Sequence, residues 1–277
     1  MNDHGGATLR KLKLNDVPAV MQLSTEAGWN QTNEDWKMLI QLSPDGCLAL
    51  EADGQIVSTA TLLCYGRRLA WIGMVLTKIS HRGRGFARRL LTEVLLLADR
   101  MDIETVKLDA TDQGRPLYEK LGFRKEQAVE RWVRPGYIEQ PTPTSRANIN
   151  PSMYWYDADT EAFGVTRTDV LRSLASRHQI LTLEYSYLLT RPGRVSQYLG
   201  PCVAETSSIA RTLVENALQT KSPDGWAWDL FPSNASAVAI ARDFSFSPRR
   251  YLTRMVRGKD LRAQENRVYA VAGFELG

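Results

Sequence analysis

A run rich in glycine and arginine at residues 82–89 is the segment best suited to binding a ligand. It reads Arg82-Gly83-Arg84-Gly85-Phe86-Ala87-Arg88-Arg89 and lies between a strand-like segment and the most strongly patterned helix of the chain. Glycines let a backbone approach a ligand closely, and the free N–H groups of a first helical turn attract anions. Because the helix dipole disfavours cations at this end, the arginines there indicate a bound polyanion. The competing interpretation is a solvated basic turn.

Two other phosphate-binding patterns do not fit this run. A dinucleotide fingerprint requires a third glycine at position 88, where the sequence has Arg88. A P-loop requires Gly-Lys followed by Ser or Thr, and the sequence contains no such triplet. The run therefore predicts a polyanion cradle of a different kind.

Hydrophobic periodicity predicts an α/β chain in which a similar order of strands and helices occurs twice. In the first half, strands are predicted over residues 8–14, 47–51, 55–65, 69–77, 105–108 and 124–133, and helices over 17–27, 35–42, 82–100 and 115–121. In the second half, strands are predicted over 180–184, 186–190, 195–199, 226–231, 251–256 and 268–272, and helices over 168–177, 206–219 and 235–242. A proline-rich stretch at 135–151 opposes both element types and separates the halves. We therefore expect domains at 1–138 and 150–277.

Composition excludes several classes of function. The chain has 277 residues and a formal net charge of +4, which suits an anionic ligand but is too weak to indicate nucleic acid. Its three cysteines are too widely spaced for a disulfide framework, and its three histidines lack metal-ligand spacing. No apolar run is long enough to span a bilayer, and residues 1–6 do not resemble a signal peptide. We expect a cytoplasmic protein without a metal, a membrane contact or a nucleic-acid partner.

A second motif makes the resemblance to a known family specific. Residues 82–87 are similar to the Arg/Gln-x-x-Gly-x-Gly/Ala signature of the GNAT superfamily of N-acetyltransferases. The run Tyr118-Glu119-Lys120-Leu121-Gly122-Phe123 resembles the Tyr-x-x-Leu-Gly-Phe segment of the same family. The distance between the motifs fits one helix, one strand and a turn. Residues 72–77, the Trp29-Asn30 pair and residues 273–277 also resemble the two-domain YitH-type members.

The resemblance implies tandem GNAT-like domains with a mixed sheet, of which the first binds acetyl-CoA as co-substrate. Backbone amides of the loop would hold the coenzyme A pyrophosphate, and a bulged strand would polarise the thioester carbonyl. Ile79 and Thr111 depart from the pattern, since family members often have proline and asparagine there. The residues expected to contact the cofactor are Met74, Val75, Leu76, Thr77, Arg82, Gly83, Arg84, Gly85, Phe86, Ala87, Arg88 and Thr111.

Tyr118 is predicted to be the catalytic acid. Leu117 and Leu121 should face the core, so the ring of Tyr118, turned by about 100°, can reach the opening of the sheet. A phenol is protonated at neutral pH and can give its proton to a departing thiolate. The alternative is a core-edge tyrosine whose hydroxyl meets water. Asp109, which follows a predicted strand, and Glu26, which ends the first helix, are the candidate bases. The alternative for each is a solvated or capping carboxylate, and a water could also relay the proton.

Three residues near the end of the first helix are predicted to line the acceptor site. They are Glu26, Trp29 and Asn30, and each has a plainer interpretation as an exposed carboxylate or a core residue. The basic cluster Arg249, Arg250, Arg254 and Arg257 is interpreted as a solvated face.

The second half lacks the features that bind the cofactor in the first. The matching turn, residues 201–210, has no glycine or arginine and contains Glu205, whose carboxylate would repel a pyrophosphate. Ala241 stands where Tyr118 would stand, counted back from Phe246. We expect a degenerate second domain that packs on the first and walls the acceptor site.

The sequence thus predicts an acetyl-CoA-dependent N-acetyltransferase that acts on a primary amine, most simply of a small molecule, by direct attack on the thioester. One alternative is a protein acetyltransferase for lysine or the N-terminus, which an open, shallow and acidic cleft would favour. Another is an acetyl-CoA-binding sensor without turnover. A nucleic-acid binder ranks last, because the arginines gather at one helix start instead of forming a stripe with aromatic residues.

Overall fold

The computed structural model describes residues 6–136, here called the first half, and residues 154–176, 179–220, 222–261 and 263–277, here called the second half. The predicted boundary between domains, at 139–149, lies outside the described residues. Within the described ranges, no helix is long and apolar enough to cross a membrane. The same ranges contain no group of three or more His, Cys, Asp or Glu side chains that could hold a metal ion.

The first half contains six strands and four α-helices among its described residues. The strands are β1 (Thr8–Lys11), β2 (Cys47–Ala52), β3 (Gln55–Tyr65), β4 (Leu69–Thr77), β5 (Thr105–Ala110) and β6 (Arg124–Arg134). The helices are α1 (Val17–Glu26), α2 (Asn33–Leu42), α3 (Phe86–Arg100) and α4 (Arg115–Lys120).

The second half follows with the same kinds of element. Its strands are β7 (Gln179–Leu183), β8 (Ser186–Arg191), β9 (Gln197–Val203), β10 (Trp226–Leu230), β11 (Ser247–Gly258) and β12 (Val268–Ala270). Its helices are α5 (Trp155–Phe163), α6 (Thr168–Ala175), α7 (Ser207–Ala217) and α8 (Ala235–Asp243).

The predicted mixed α/β fold is confirmed, and two differences from the predicted elements have clear causes. Helix α3 begins at Phe86 instead of residue 82, because Gly83 and Gly85 have φ angles of +78° and +80°, which a right-handed helix excludes. Helix α5 was not predicted. Its buried Trp155, Ala158 and Ala162 have helical spacing, but they directly follow the proline-rich stretch.

The strands form one mixed sheet in the order β1-β2-β3-β4-β5-β11-β6-β10-β9-β8-β7, with β12 paired to β9. Two pairs of neighbours are parallel, β4 with β5 and β9 with β10. Each parallel pair lies in one half, which gives the two halves a common plan.

The two halves exchange their long final strands. Strand β11 of the second half lies between β5 and β6 of the first, so that Thr253 is opposite both Ala110 and Ala128. Strand β6 then pairs with β10 of the second half, with Trp132 opposite Trp228. The sheet is therefore continuous across the halves, and β11 brings side chains of the second half beside β5.

Three apolar clusters pack on this sheet. One contains α3 with the faces of β3, β4 and β5 below it, and a second contains α7 and α8 on the sheet of the second half. The third joins both halves, with α1 and α2 from the first and α5 and α6 from the second. This shared cluster fixes the two halves against each other.

A buried guanidinium strengthens the contact between the halves. Arg191 of β8 donates from Nη1 to Asp35 Oδ1 at 2.9 Å and from Nη2 to Glu275 Oε1 at 3.1 Å. Its side chain is only 1% exposed, and its guanidinium lies 3.8 Å from the ring centroid of Tyr198. Asp35 also caps α2 through Thr32. One cation thus joins α2, β8 and the C-terminal segment.

We predict that Arg191→Met lowers the free energy of unfolding by about 3–5 kcal/mol, because two buried carboxylates lose their shared cation. The matched control is Arg211→Met. It removes an ion pair to Asp243 whose side chains are about half exposed, so the expected loss is below about 1 kcal/mol. Urea unfolding of both variants measures the difference. Equal losses would contradict the assignment of Arg191 as the joint between the halves.

Candidate active site

The start of α3 forms an exposed, positively charged cradle. A Cβ placed on Gly83 or Gly85 would meet nothing within 4 Å. Gly85 is the N-cap, no side chain caps the helix, and its first turn holds no acidic residue. Arg82, Arg84 and Arg88 are exposed and form no ion pair with a carboxylate of the described residues. Open glycines, uncapped N–H donors and unpaired cations together fit a pyrophosphate.

The other residues predicted to bind the cofactor here have supporting positions. Phe86 is buried and its ring stacks on His81 at 6.1 Å between centroids, while Ala87 is half-buried. Arg82 Nε donates to the carbonyl oxygen of Thr77 at 3.3 Å, which ties the cradle to the end of β4. The side chain of Leu76 is buried in the core that the halves share, so only its backbone is suited to a ligand contact.

Strand β4 is bulged where it leads to the cradle. Met74 has a φ angle of +50°, and Met74 and Val75 together face a single residue of β3. Thr59 Oγ1 donates to the Met74 carbonyl at 2.8 Å and holds the bulge in place. Beyond Ala70 and Trp71, β4 no longer pairs with β5. The diverging strands leave an opening between them.

A cleft lies at this opening, and both halves line it. From the first half it is lined by Trp29, Gln31, Ile72, Gly73, Met74, Val75, Leu108, Asp109, Thr111, Tyr118 and Arg131. From the second half it is lined by Arg250, Leu252, Phe274 and Glu275. Strand exchange therefore places part of the second half at the site of the first.

Tyr118 projects from α4 into this cleft. Thr111 also lines it and positions α4, because Thr111 Oγ1 accepts a hydrogen bond from Gly114 N at 3.2 Å just before the helix. The Tyr118 ring packs edge-on against Phe123 with centroids 6.1 Å apart. Burial raises the pKa of Tyr118 to about 12, so the phenol stays protonated at neutral pH. Its hydroxyl bonds to no described residue and can reach a ligand.

The structure does not favour Asp109 as a general base. Arg254 donates from Nε and Nη2 to the two carboxylate oxygens of Asp109 at 2.9 and 3.0 Å. The Asp109 side chain has no exposed area, so only its backbone reaches the cleft. A carboxylate held by both oxygens in a buried ion pair has a structural role. Nothing around Asp109 in the sequence indicates that β11 brings Arg254 beside β5.

The three predicted acceptor residues have three different positions. Trp29 lines the cleft, as expected. Asn30 is buried and binds the backbone of the second half, with its Oδ1 accepting from Val195 N and Ser196 N at 2.7 and 3.0 Å. Glu26 is exposed at the end of α1 and does not line the cleft. Asn30 therefore joins the halves, and neither it nor Glu26 is among the residues that line the cleft.

Several cleft residues were not predicted. They are Gln31, Ile72, Gly73, Leu108, Arg131, Arg250, Leu252, Phe274 and Glu275. The interpretation of residues 249–257 as a solvated face is wrong for Arg254, which is buried, and for Arg250, which faces the cleft. Arg250 and Arg254 are an even number of residues apart on one strand, so they lie on the same face, and this spacing could have indicated that both face inward.

The second half fills its own equivalent of the opening. Strands β9 and β10 also pair only over a short parallel stretch, but β12 then pairs with β9, and Val271 N donates to Asp229 O of β10 at 2.9 Å. The helix that follows β9 is capped by Thr206, whose side chain accepts from Ile209 N at 3.3 Å. Glu205 is exposed beside it. The second half thus has neither an open slot nor an uncapped helix start.

Comparisons with known proteins agree with this geometry. Two family models, each described as an acetyltransferase (GNAT) domain, match residues 43–125 and 156–270. The Bacillus subtilis (strain 168) protein named uncharacterized N-acetyltransferase YitH is 27% identical over 223 residues, which cover 74% of this chain and 76% of the relative. The holothin acyltransferase of Pseudoalteromonas sp. (strain SANK 73390) is 21% identical over 288 residues, covering 100% and 97%.

Solved structures share the fold over nearly the whole chain. A proposed acetyltransferase from Pyrococcus horikoshii superposes with a TM-score of 0.84 at 22% identity, covering 98% of this chain and 96% of the other. A tandem GNAT protein from the clavulanic acid biosynthesis pathway superposes with a TM-score of 0.60 at 14% identity, covering 92% and 99%. At these identities the likeness supports the fold alone.

The chain belongs to the GNAT superfamily and carries two GNAT domains in tandem. It is an acyltransferase, as the domain matches and the names of its relatives indicate. The predicted family and the predicted tandem architecture are confirmed.

We predict that Asp109→Asn lowers the free energy of unfolding by about 3 kcal/mol, because Arg254 is left buried without its partner. Asp99→Asn, which removes a more exposed carboxylate from Arg257 on the same strand, is the control and should cost below about 1 kcal/mol. The pH–rate profile of folded Asp109→Asn should keep its shape. Loss of its ascending limb would restore Asp109 as the base.

Proposed function

We propose that this acyltransferase moves an acetyl group from acetyl-CoA to the primary amine of a small molecule by direct attack on the thioester. One observation carries the proposal. The bulged end of β4 leads on one side to the uncapped cradle of α3 and on the other to a cleft that contains Tyr118. Groups that can bind a polyanion and a side chain that can donate a proton thus lie on either side of the same bulged strand.

Acetyl-CoA would supply the acetyl thioester, and the residues of the cradle would bind its pyrophosphate. Backbone N–H groups between Gly83 and Arg88 are the donors, and Arg82, Arg84 and Arg88 add positive charge. The unpaired edges of β4 and β5 offer further backbone donors and acceptors for the amides of the pantetheine arm. Thr111 lies at this opening and would contact the arm.

Two groups of this chain would assist the transfer. A backbone N–H of the bulge at Met74 and Val75 can polarise the acetyl carbonyl, as oxyanion-hole donors do. As the amine nitrogen bonds to the acetyl carbon and the carbon–sulfur bond breaks, Tyr118 would give its proton to the sulfur. Because burial raises its pKa, Tyr118 is protonated at neutral pH before the transfer begins.

Glu275 would be the base in place of Asp109, because its side chain keeps a small exposed area, 3%, and because its cation Arg191 is shared with Asp35, whereas Asp109 has no exposed side-chain area and a guanidinium of its own. Glu275 lines the cleft, and its carboxylate is bound by Gln31 Nε2 at 2.8 Å and by Arg191. Burial raises the pKa of Glu275, and nearby Asp35 adds to the rise while Arg191 opposes it. A carboxylate of raised basicity suits removal of the amine proton, directly or through one water.

The shape of the cleft favours a small acceptor over a protein. Arg250, Leu252 and Phe274 of the second half line the acceptor side with basic and apolar groups, and Glu275 is the only carboxylate of the second half among the lining residues. An open acidic groove would be expected for a lysine-bearing protein segment. The second half would therefore serve as the wall of the acceptor site.

Release of free thiol from acetyl-CoA in the presence of primary amines tests the proposal. Turnover should depend on the amine and yield the N-acetyl product by mass spectrometry. Binding of acetyl-CoA with no turnover of any small amine or peptide amine would instead identify a sensor. Turnover of peptide amines alone would identify a protein acetyltransferase.

We predict that Tyr118→Phe lowers kcat by about 10²–10⁴-fold, the usual contribution of a positioned acid, while the Kd of acetyl-CoA is unchanged. The control is Tyr154→Phe, because Tyr154 is 65% exposed and lies away from the cleft lining. Steady-state kinetics and calorimetry measure the two quantities. A kcat of Tyr118→Phe within a few fold of wild type would exclude Tyr118 as the acid.

A further inference from the structure

The acceptor side of the cleft contains a guanidinium without an anionic partner. Arg250 lines the cleft, is half-buried, and forms no ion pair with any described carboxylate. Its guanidinium lies 5.9 Å from the ring centroid of Trp29 and 5.8 Å from that of Phe274. Burial lowers the pKa of Arg250, and the positive charge of Arg131 lowers it further. A partly desolvated cation of this kind is costly unless an anion joins it.

The local backbone is built to direct Arg250 inward. The pairing of β11 with β6 is bulged at this point, with Pro248 opposite Trp132 and Arg250 opposite Arg131. Arg249 is the additional residue and is exposed. Bulges reorient the side chains that follow them, and Arg250 thereby shares the cleft-facing side of β11 with Leu252. Two adjacent arginines thus have opposite environments.

The neighbouring charges are already matched or lie elsewhere. Arg131 donates from Nε and Nη2 to the two carboxylate oxygens of Asp229 at 2.7 and 2.6 Å, so this pair is neutral as a unit. Asp35 and Glu275 share the single cation Arg191. The cleft therefore has an excess of negative charge at Glu275 and an excess of positive charge at Arg250.

A hydrogen-bond acceptor atom without a partner lies next to Glu275, on the negatively charged side of the cleft. Gln31 lines the cleft and is 4% exposed; its Nε2 donates to Glu275 Oε2, and its buried Oε1 has no hydrogen-bond partner. A buried acceptor without a donor costs free energy, and an amine N–H of a bound ligand would satisfy it. Gln31 and Glu275 thus form a site suited to an amino group.

We propose that the acceptor is a primary amine that also carries a carboxylate, with its amino end at Gln31 and Glu275 and its carboxylate on Arg250. This substrate class rests on the proposed acetyl transfer. The planar fork of a guanidinium matches a carboxylate with two hydrogen bonds, and the rings of Trp29 and Phe274 flank the bound anion with apolar surface. A phosphate on the same amine would use the same fork, and the experiment separates the two anions.

The test uses the whole chain, acetyl-CoA and pairs of amines that differ only in the anion. Phenylalanine with phenethylamine and β-alanine with ethylamine test the carboxylate, and phosphoethanolamine with ethanolamine tests the phosphate. We expect kcat/KM to be higher for carboxylate-bearing members, and Arg250→Gln to reduce that preference by about ten- to a hundredfold, chiefly through KM. Arg250→Lys should restore part of it. Arg249→Gln is the matched control and should change the preference for carboxylate-bearing amines by less than about twofold.

The outcomes distinguish the substrate class from the reaction. Equal or better turnover of neutral amines, or a carboxylate preference that survives in Arg250→Gln, would overturn the proposed class while leaving acetyl transfer intact. A preference for phosphoethanolamine alone, lost in Arg250→Gln, would overturn the carboxylate and retain Arg250 as the anion site. No turnover of any amine, with acetyl-CoA still bound, would overturn the proposed function and this class with it.

Discussion

Strand β11 is inserted between β5 and β6, and this insertion organises the whole sheet. This strand pairs with β6 from Ser247 to Val256 and with β5 from Thr253 to Gly258, and it makes the sheets of the two halves one. Its inward face carries, at every second position, Arg250 and Leu252 to the cleft and Arg254 to Asp109. A strand from the second half thereby contributes part of the cleft lining and supplies the cation that neutralises Asp109 of the first half. The site cannot be assembled from residues of one half alone.

The two halves share one arrangement of strands, but the gap between the diverging strands is open in the first half and filled in the second. In both, a short parallel pairing ends and the strands diverge. In the first half a bulge at Met74 and an uncapped glycine loop follow. In the second half β12 occupies the gap and Thr206 caps the helix. The polar groups that a ligand would satisfy in the first half are satisfied by the chain itself in the second.

The sequence predicted those features of the fold and of the candidate site that depend on a few neighbouring residues. The glycines of the cradle, the helical stripe of α3 and the run from Tyr118 to Phe123 each act over a few residues, and the structure places them together. Glu205 and Ala241 likewise pointed to a second half without the cradle. Patterns of this kind express backbone conformation and amphipathic faces, which depend on neighbours in sequence.

Contacts between residues that are distant in the sequence could not be predicted from local patterns. Nothing near Asp109 indicates that Arg254, far along the chain, neutralises it, and nothing near Asn30 indicates that its amide holds the β8–β9 turn. Gln31 and Glu275 meet across 244 positions of sequence. These residues become a site only through strand exchange, and a single sequence carries no record of which strands pair. The proposed base and the proposed acceptor wall are therefore inferred from the structure.

Calorimetric titration of the whole chain with acetyl-CoA tests directly whether the cradle binds the cofactor. We predict one site per chain, lost in Gly85→Glu, because a carboxylate would then stand in the cradle of α3. Gly66→Glu is the matched control, since Gly66 also has a positive φ, +63°, with open space around its Cβ position but lies in the β3–β4 turn. Binding retained in Gly66→Glu and abolished in Gly85→Glu would support the cradle. Undiminished binding in Gly85→Glu, a second site, or no binding to the wild type would contradict it.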